Sequence, residues 1–302
     1  MQLQIGTILA IMVLGYGVAK WRRLSVELSM LVSAVSGGIA GAFLGTPPIG
    51  ELSRHLVEGA FTYLDVILVF TTATIFMAIL SESGGVDYVV RGTLKTLAGV
   101  KVIALLVLMV IVLIPGALTG AGSVSLLVVG APVAMALISL GVPRRRAAAI
   151  LFIVAGLSAA APPVNIWAMI LSAGTAIPYV GFELPLGVPV LILGTFTVLV
   201  LGLPRSKDSD KGDPGQGLPE PVPGQSWWRV LLPFAVFFGL VLVYRVWPFS
   251  FPVLGLPLQF VIAGAVALLV SPKRIDVLRV SRDTVKRLLP LLATMVVVGM
   301  LQ

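Results

Sequence analysis

A succession of apolar runs, each about as long as a helix that crosses a bilayer, constrains this chain more than any other feature; the first two are Leu3 to Ala19 and Val26 to Phe43. A hydrocarbon layer of roughly 30 Å calls for about 20 helical residues, and lipid offers no partner to an unpaired backbone amide. Transmembrane helices meet both requirements. With 58% of residues hydrophobic and 11% charged, a soluble fold would lack the polar surface to cover itself. The sequence therefore predicts an all-α integral membrane protein and argues against a soluble enzyme.

Met1-Gln-Leu-Gln supplies no basic residue ahead of the first run and no small-residue cleavage pattern follows it, so that run reads as a retained helix rather than a secretory signal. Cysteine is absent, which excludes disulfides and thiolate chemistry. The single histidine, His55, cannot anchor a multi-histidine metal site, and it reads as an interfacial residue.

A formal charge of +8 raises the question of nucleic acid, and the placement of the charges answers against it. If the N-terminus lies outside, the cytoplasmic segments hold Lys20, Arg22 and Arg23; Arg91, Lys95 and Lys101; Arg144 to Arg146; Arg205, Lys207, Lys211 and Arg229; and six more from Lys273 to Arg287. Only Arg54 and Arg245 of the 21 basic residues then fall outside. That asymmetry predicts a cytoplasmic-type membrane protein with its N-terminus outside. Trp21, Trp227, Trp228 and Trp247 fall at predicted boundaries and read as belt anchors.

Thr46 to Ala60 is expected as a polar external loop or surface helix, and Phe61 to Leu80 as the third crossing. Val102 to Leu140 is too long for one crossing, is interrupted near Pro115, Gly116, Gly120 and Gly122, and has basic residues on both flanks. It is expected to enter and leave on one side as a re-entrant hairpin; two full spans with a short external turn would share that flank pattern. Ala147 to Ala173, interrupted at Ala161, Pro162 and Pro163, reads as one crossing made of two half-helices, and Leu186 to Leu203 returns inside. Residues 1–203 thus form a first membrane repeat. Residues 204–226, rich in Pro, Gly, Asp and Lys, form a cytoplasmic linker. Residues 227–302 then begin a second repeat of opposite orientation, as an inverted repeat would, on hydropathy and charge alone. Because Gln302 lies inside an apolar run, this second repeat is expected to be incomplete, in a truncated chain or half of a split transporter.

The two interruptions carry the candidate chemistry. Where the first hairpin arm ends, unpaired carbonyls present partial negative charge, and where the second begins, free N–H groups present partial positive charge. A small cation is expected against Thr119, Gly120 and Ser123, together with Ser158 and Ala159, whose carbonyls face Pro162 and Pro163 and their missing N–H groups. An anionic substrate is expected against Gly122, Ser123, Ser125, Pro162, Pro163 and Asn165, with Asn165 offering a donor and an acceptor to a substrate or a neighbouring loop. Small-residue packing and a simple proline kink are the alternatives for each break taken singly. Asp65, near the outer end of the third crossing, reads as a solvated or capping acid ahead of a proton relay.

Gly84-Gly85, the tip Thr119-Gly-Ala-Gly-Ser123, the turn Gly141-Val-Pro-Arg144 and Gly156-Leu-Ser-Ala-Ala-Ala-Pro162-Pro163 together resemble the first half of the ion transporter superfamily. The nearest resemblance is to the large membrane subunit of tripartite ATP-independent periplasmic (TRAP) transporters, the DctM-like permeases, well over Leu64 to Leu203 and elsewhere by topology. The family's Ser-Gly-Ser tip reads Thr-Gly-Ala-Gly-Ser here, and a serine common after its paired prolines is Val164. The resemblance implies an elevator-type secondary transporter importing carboxylates such as C4-dicarboxylates by symport with Na⁺ or H⁺. It also implies a small membrane subunit and a periplasmic substrate-binding protein as partners, with no cofactor beyond a coupling Na⁺. No Walker-type glycine loop is present. An antiporter or exporter of another anion in the same superfamily and a noncatalytic membrane scaffold subunit are the rival readings.

Overall fold

The computed structural model describes residues 2–44, 49–97, 99–175, 177, 181–203, 220, 222–247, 252 and 254–301. Among them the regular structure is entirely helical. In chain order the helices are α1 (Gln2–Trp21), α2 (Val26–Phe43), α3 (Ile49–Phe61), α4 (Leu64–Glu82), α5 (Gly85–Leu97) and α6 (Lys101–Thr119). There follow α7 (Gly122–Ser139), α8 (Arg144–Ala160), α9 (Ile166–Thr175), α10 (Glu183–Gly202), α11 (Trp227–Val246), α12 (Leu256–Val270) and α13 (Val277–Met300). Six stretches among the described residues have the length and composition to cross a membrane: Gln4–Trp21, Val26–Phe43, Gly50–Glu82, Lys101–Thr119, Gly122–Ser139 and Glu183–Gly202. The chain is a helical, multi-pass membrane protein by that measure.

Three local expectations change. Pro115 and Gly116 lie inside the continuous α6, and the interruption is confined to Gly120 and Ala121. A proline there removes one helical bond while the surrounding apolar contacts hold the helix together; Pro115, Gly116, Ala117 and Leu118 are all buried. The arms hold 19 and 18 residues, about 28 and 27 Å of helix, so both reach crossing length and arm length gives no preference for a re-entrant hairpin. The basic segment from Lys273 to Arg287, expected ahead of a crossing that starts at Leu288, is helical from Val277 onward, so α13 takes Arg279 to Arg287 into its first turns while Lys273 and Arg274 stay in the connection. Residues 46–48 of the expected external segment and residues 204–219 and 221 of the expected linker lie outside the described residues.

Residues fall into two compact units, Met1–Ile67 with Val285–Gln302, and Leu68–Thr284. In the first, α1 and α2 pack through small residues, and the buried Ser33 donates its hydroxyl to the Met12 carbonyl at 2.9 Å. Asp65 stands exposed in the first turn of α4, where its charge complements the helix dipole. His55 is half-exposed on α3 with Glu51 and Glu58 each 3.7 Å away.

In the second unit a ring cluster joins α4, α11 and α12: Phe237 stacks on Phe260 at 4.3 Å, and Phe76 meets Phe234 edge-on at 5.6 Å. Helix α10 runs beside α6 and α8 on its small residues. A Cβ on Gly202 would come within 2.7 Å of Leu105, one on Gly194 within 2.9 Å of Met109, and one on Gly187 within 3.2 Å of Pro162. This packing sets α10 against α6 and α8, the two helices that lead into the interruptions.

Candidate functional site

Helix α6 ends because Gly120 adopts a left-handed conformation, φ 70°, which L-residues with a Cβ rarely take, and its N–H closes back on the Gly116 carbonyl at 2.6 Å. Ala121 is extended, and α7 starts at Gly122. One turn later α7 widens into a π-helical turn over Leu126–Gly130. Pro132, just beyond, has no N–H for the Val128 carbonyl, so the ordinary bonding ladder cannot run through this stretch.

The second interruption follows from Pro162 and Pro163, whose mutual peptide bond is cis. They stand where the helical donors to Ser158 and Ala159 belong. The Ser158 carbonyl was expected to be unpaired, yet it accepts the Ala161 N–H at 3.2 Å as the chain tightens its last turn. The Ala159 carbonyl, half-buried, does lose its helical donor, and the next N–H, that of Val164, goes elsewhere.

That N–H crosses to the hairpin, bonding the Ala117 carbonyl at 2.9 Å. A Cβ on Gly120 would lie 2.8 Å from the Ile166 nitrogen, and one on Gly122 would fall into the Ala155 carbonyl, 2.8 Å from its carbon. One on Gly116 would press on Ser158 and Ser125. The two breaks therefore touch, and four helix ends converge. The C-terminus of α6 meets the N-terminus of α9, and the N-terminus of α7 lies against the last turns of α8. Each pair sets partial negative charge beside partial positive charge.

Within this junction the polar side chains are largely committed. Ser125 and Ser158, both fully buried, share a hydrogen bond of 3.0 Å, and Ser158 donates to the Ala155 carbonyl at 2.6 Å. Thr119, also fully buried, folds back on its own helix, donating to Pro115 at 2.7 Å. Asn165 was expected to offer a donor and an acceptor to a substrate or a neighbouring loop. It bridges the two half-helices, its Nδ2 donating to the Ala160 carbonyl at 3.1 Å and its Oδ1 accepting the Ala168 N–H at 2.9 Å. It caps both ends at once, which the gap of five residues between α8 and α9 makes possible. Ser123 alone of the candidate hydroxyls is exposed, on the first turn of α7. Gly122, Pro162 and Pro163 are half-buried beside it in the same junction.

Sequence reasoning missed Ala117, Ala155 and Ala160, which act through carbonyls that every residue carries and that no side chain advertises. It also missed the π turn, for which Pro132 six residues after Leu126 is the available signal. Among the described residues no group of three acidic, histidine or cysteine side chains could hold a metal. Comparison with protein-family models, with curated proteins and with solved structures finds no match.

Proposed function

We propose that this protein is a secondary active transporter for small organic anions of the C4-dicarboxylate type, working in a bacterial inner membrane with its N-terminus outside. The observation that carries the reading is the meeting of two interrupted helical segments inside an apolar block, locked by Val164 on Ala117 and Ser125 on Ser158. Discontinuous helices whose ends converge supply fixed partial charges of both signs without any ionised side chain, which suits a permeant anion and its coupling cation.

The cation is assigned to the carbonyl end, at Ala159 and the last turn of α6, and the carboxylate to the N–H end of α7 at Gly122 and Ser123. Sodium is the coupling ion in this reading, because residues 115–132 and 155–170 contain no titratable side chain to carry a proton. Helix α9 extends ten residues past the break, about 15 Å and apolar from Ile166 to Leu171, which favours a hairpin tip held within the apolar layer over one at its surface. An inverted repeat with α11–α13 as the opening of its second half, and a small membrane subunit and periplasmic binding protein as partners, complete the proposal.

One observation favours a noncatalytic scaffold instead: Thr119, Ser125, Ser158 and Asn165 all hydrogen-bond within the junction. The full protein in proteoliposomes separates the two. The transporter requires an inward Na⁺ gradient to drive succinate accumulation and Ser123→Ala to abolish it. Absence of uptake under Na⁺ and proton gradients alike, or uptake indifferent to Ser123→Ala, overturns it.

A further inference from the structure

Helices α12 and α13 are joined by Ser271 to Asp276, and three independent features of that corner point outward. The first is a depth marker. Trp228 is 56% exposed, Arg229 lies over its ring at 5.3 Å, and Arg229 also donates to the Gly224 carbonyl at 2.7 Å. Pro272 of the corner comes as close to a Cβ on Gly224 as Arg229 does, 3.5 Å for each. An outward tryptophan beside an arginine is what a membrane–water boundary selects, since the ring suits the headgroup layer and the cation its phosphates.

The second feature is charge. Lys273 and Arg279 are held by Glu82 at 3.2 and 3.0 Å, and Asp276 is occupied in capping α13, its Oδ1 accepting the Arg279 N–H at 3.1 Å. Arg274 and Arg282 stand exposed beside them, with Asp283 the other acid on this turn. Glu82, Asp276 and Asp283 set three negative charges against the four positive ones of Lys273, Arg274, Arg279 and Arg282, so the corner keeps an excess of one positive charge, with Arg274 and Arg282 turned outward.

The third feature is apolar. Val280 and Thr284 bury one side of α13, while Leu278, one turn before Arg282 on the opposite side, is 83% exposed. A leucine that exposed, in line with arginines, is the pattern of a helix lying in an interface with its apolar residues in the acyl margin and its cations among headgroups.

We infer that Lys273 to Arg282 is a docking surface for anionic phospholipid, with Arg274 and Arg282 on the phosphates and Leu278 in the acyl margin. The surface stands apart from the helix-break junction and does not depend on the transport reading.

Cysteine is absent from this chain, so Leu278→Cys carries a nitroxide as its sole label. In phosphatidylglycerol-rich nanodiscs the label gains several-fold in its collision ratio with oxygen over a water-soluble nickel chelate, relative to phosphatidylcholine discs. Arg274→Gln with Arg282→Gln removes that gain, molar salt on the unsubstituted arginines weakens it, and inorganic phosphate leaves it intact. The salt arm stands on its own if the double variant does not fold. Equal water exposure in both lipids, a gain that ignores charge and salt, or a gain reproduced by inorganic phosphate without anionic lipid overturns the assignment.

Discussion

Gly122→Ala tests the contact on which the junction rests. A Cβ there would sit 2.8 Å from the Ala155 carbonyl carbon and nearer still to its oxygen, against backbone that cannot rotate away. Ordinary carbon–carbon contact begins near 3.5 Å, so the start of α7 must retreat from α8 by about 0.7 Å or more. Overpacking of this kind costs about 1–3 kcal/mol. The same retreat stretches the 3.0 Å bond between Ser125 and Ser158 beyond hydrogen-bonding reach, and an unmet buried hydroxyl adds about 1–3 kcal/mol. The expected loss is therefore at least about 2 kcal/mol. Gly156→Ala is the control, because nothing lies within 4 Å of a Cβ there and the change in a helix gains up to about 1 kcal/mol. Reversible unfolding in mixed micelles, followed by circular dichroism, compares the two. If Gly122→Ala is as stable as Gly156→Ala, the close approach of α7 to α8 is wrong and the converging helix ends go with it.

Asn165→Ala removes a cap from α9 and a donor from α8, costing about 1–3 kcal/mol, and amide hydrogen exchange should speed up first at Ala168. Burial pushes the Asp87 carboxyl on α5 above the usual range, with Arg91 opposing, so the folded form releases that proton later than the unfolded one. Its contribution is most favourable at low pH and is lost as pH rises from the unfolded value near 3.8 through the raised folded one; Asp87→Asn should flatten stability measured across that window. Glu82→Gln breaks two exposed contacts, to Lys273 and Arg279, and should cost no more than about 1 kcal/mol, an effect that fades in high salt when unfolding is repeated there.

The positions of the two breaks were legible because proline and glycine act locally: Pro162 and Pro163 lack N–H groups in any environment, and Gly120 alone in its turn takes φ 70° without strain. Pro115 misled because the same local rule says nothing of the buried contacts that carry a helix through. The roles of the hydroxyls were not legible. Thr119, Ser125 and Asn165 are chemically able to bind a ligand or a neighbour, and which they do depends on what folding brings within 3 Å.

By itself the sequence determined a helical membrane protein and the places where its helices must stop, since hydrophobic length and backbone chemistry are properties of the chain. Only the tertiary structure decided that the two stops meet, that Ala117 and Val164 close the contact, and that Asn165 ties α8 to α9. The physical reason is that carbonyl and amide groups are the same at every residue, so their partners are chosen by packing and not by residue type.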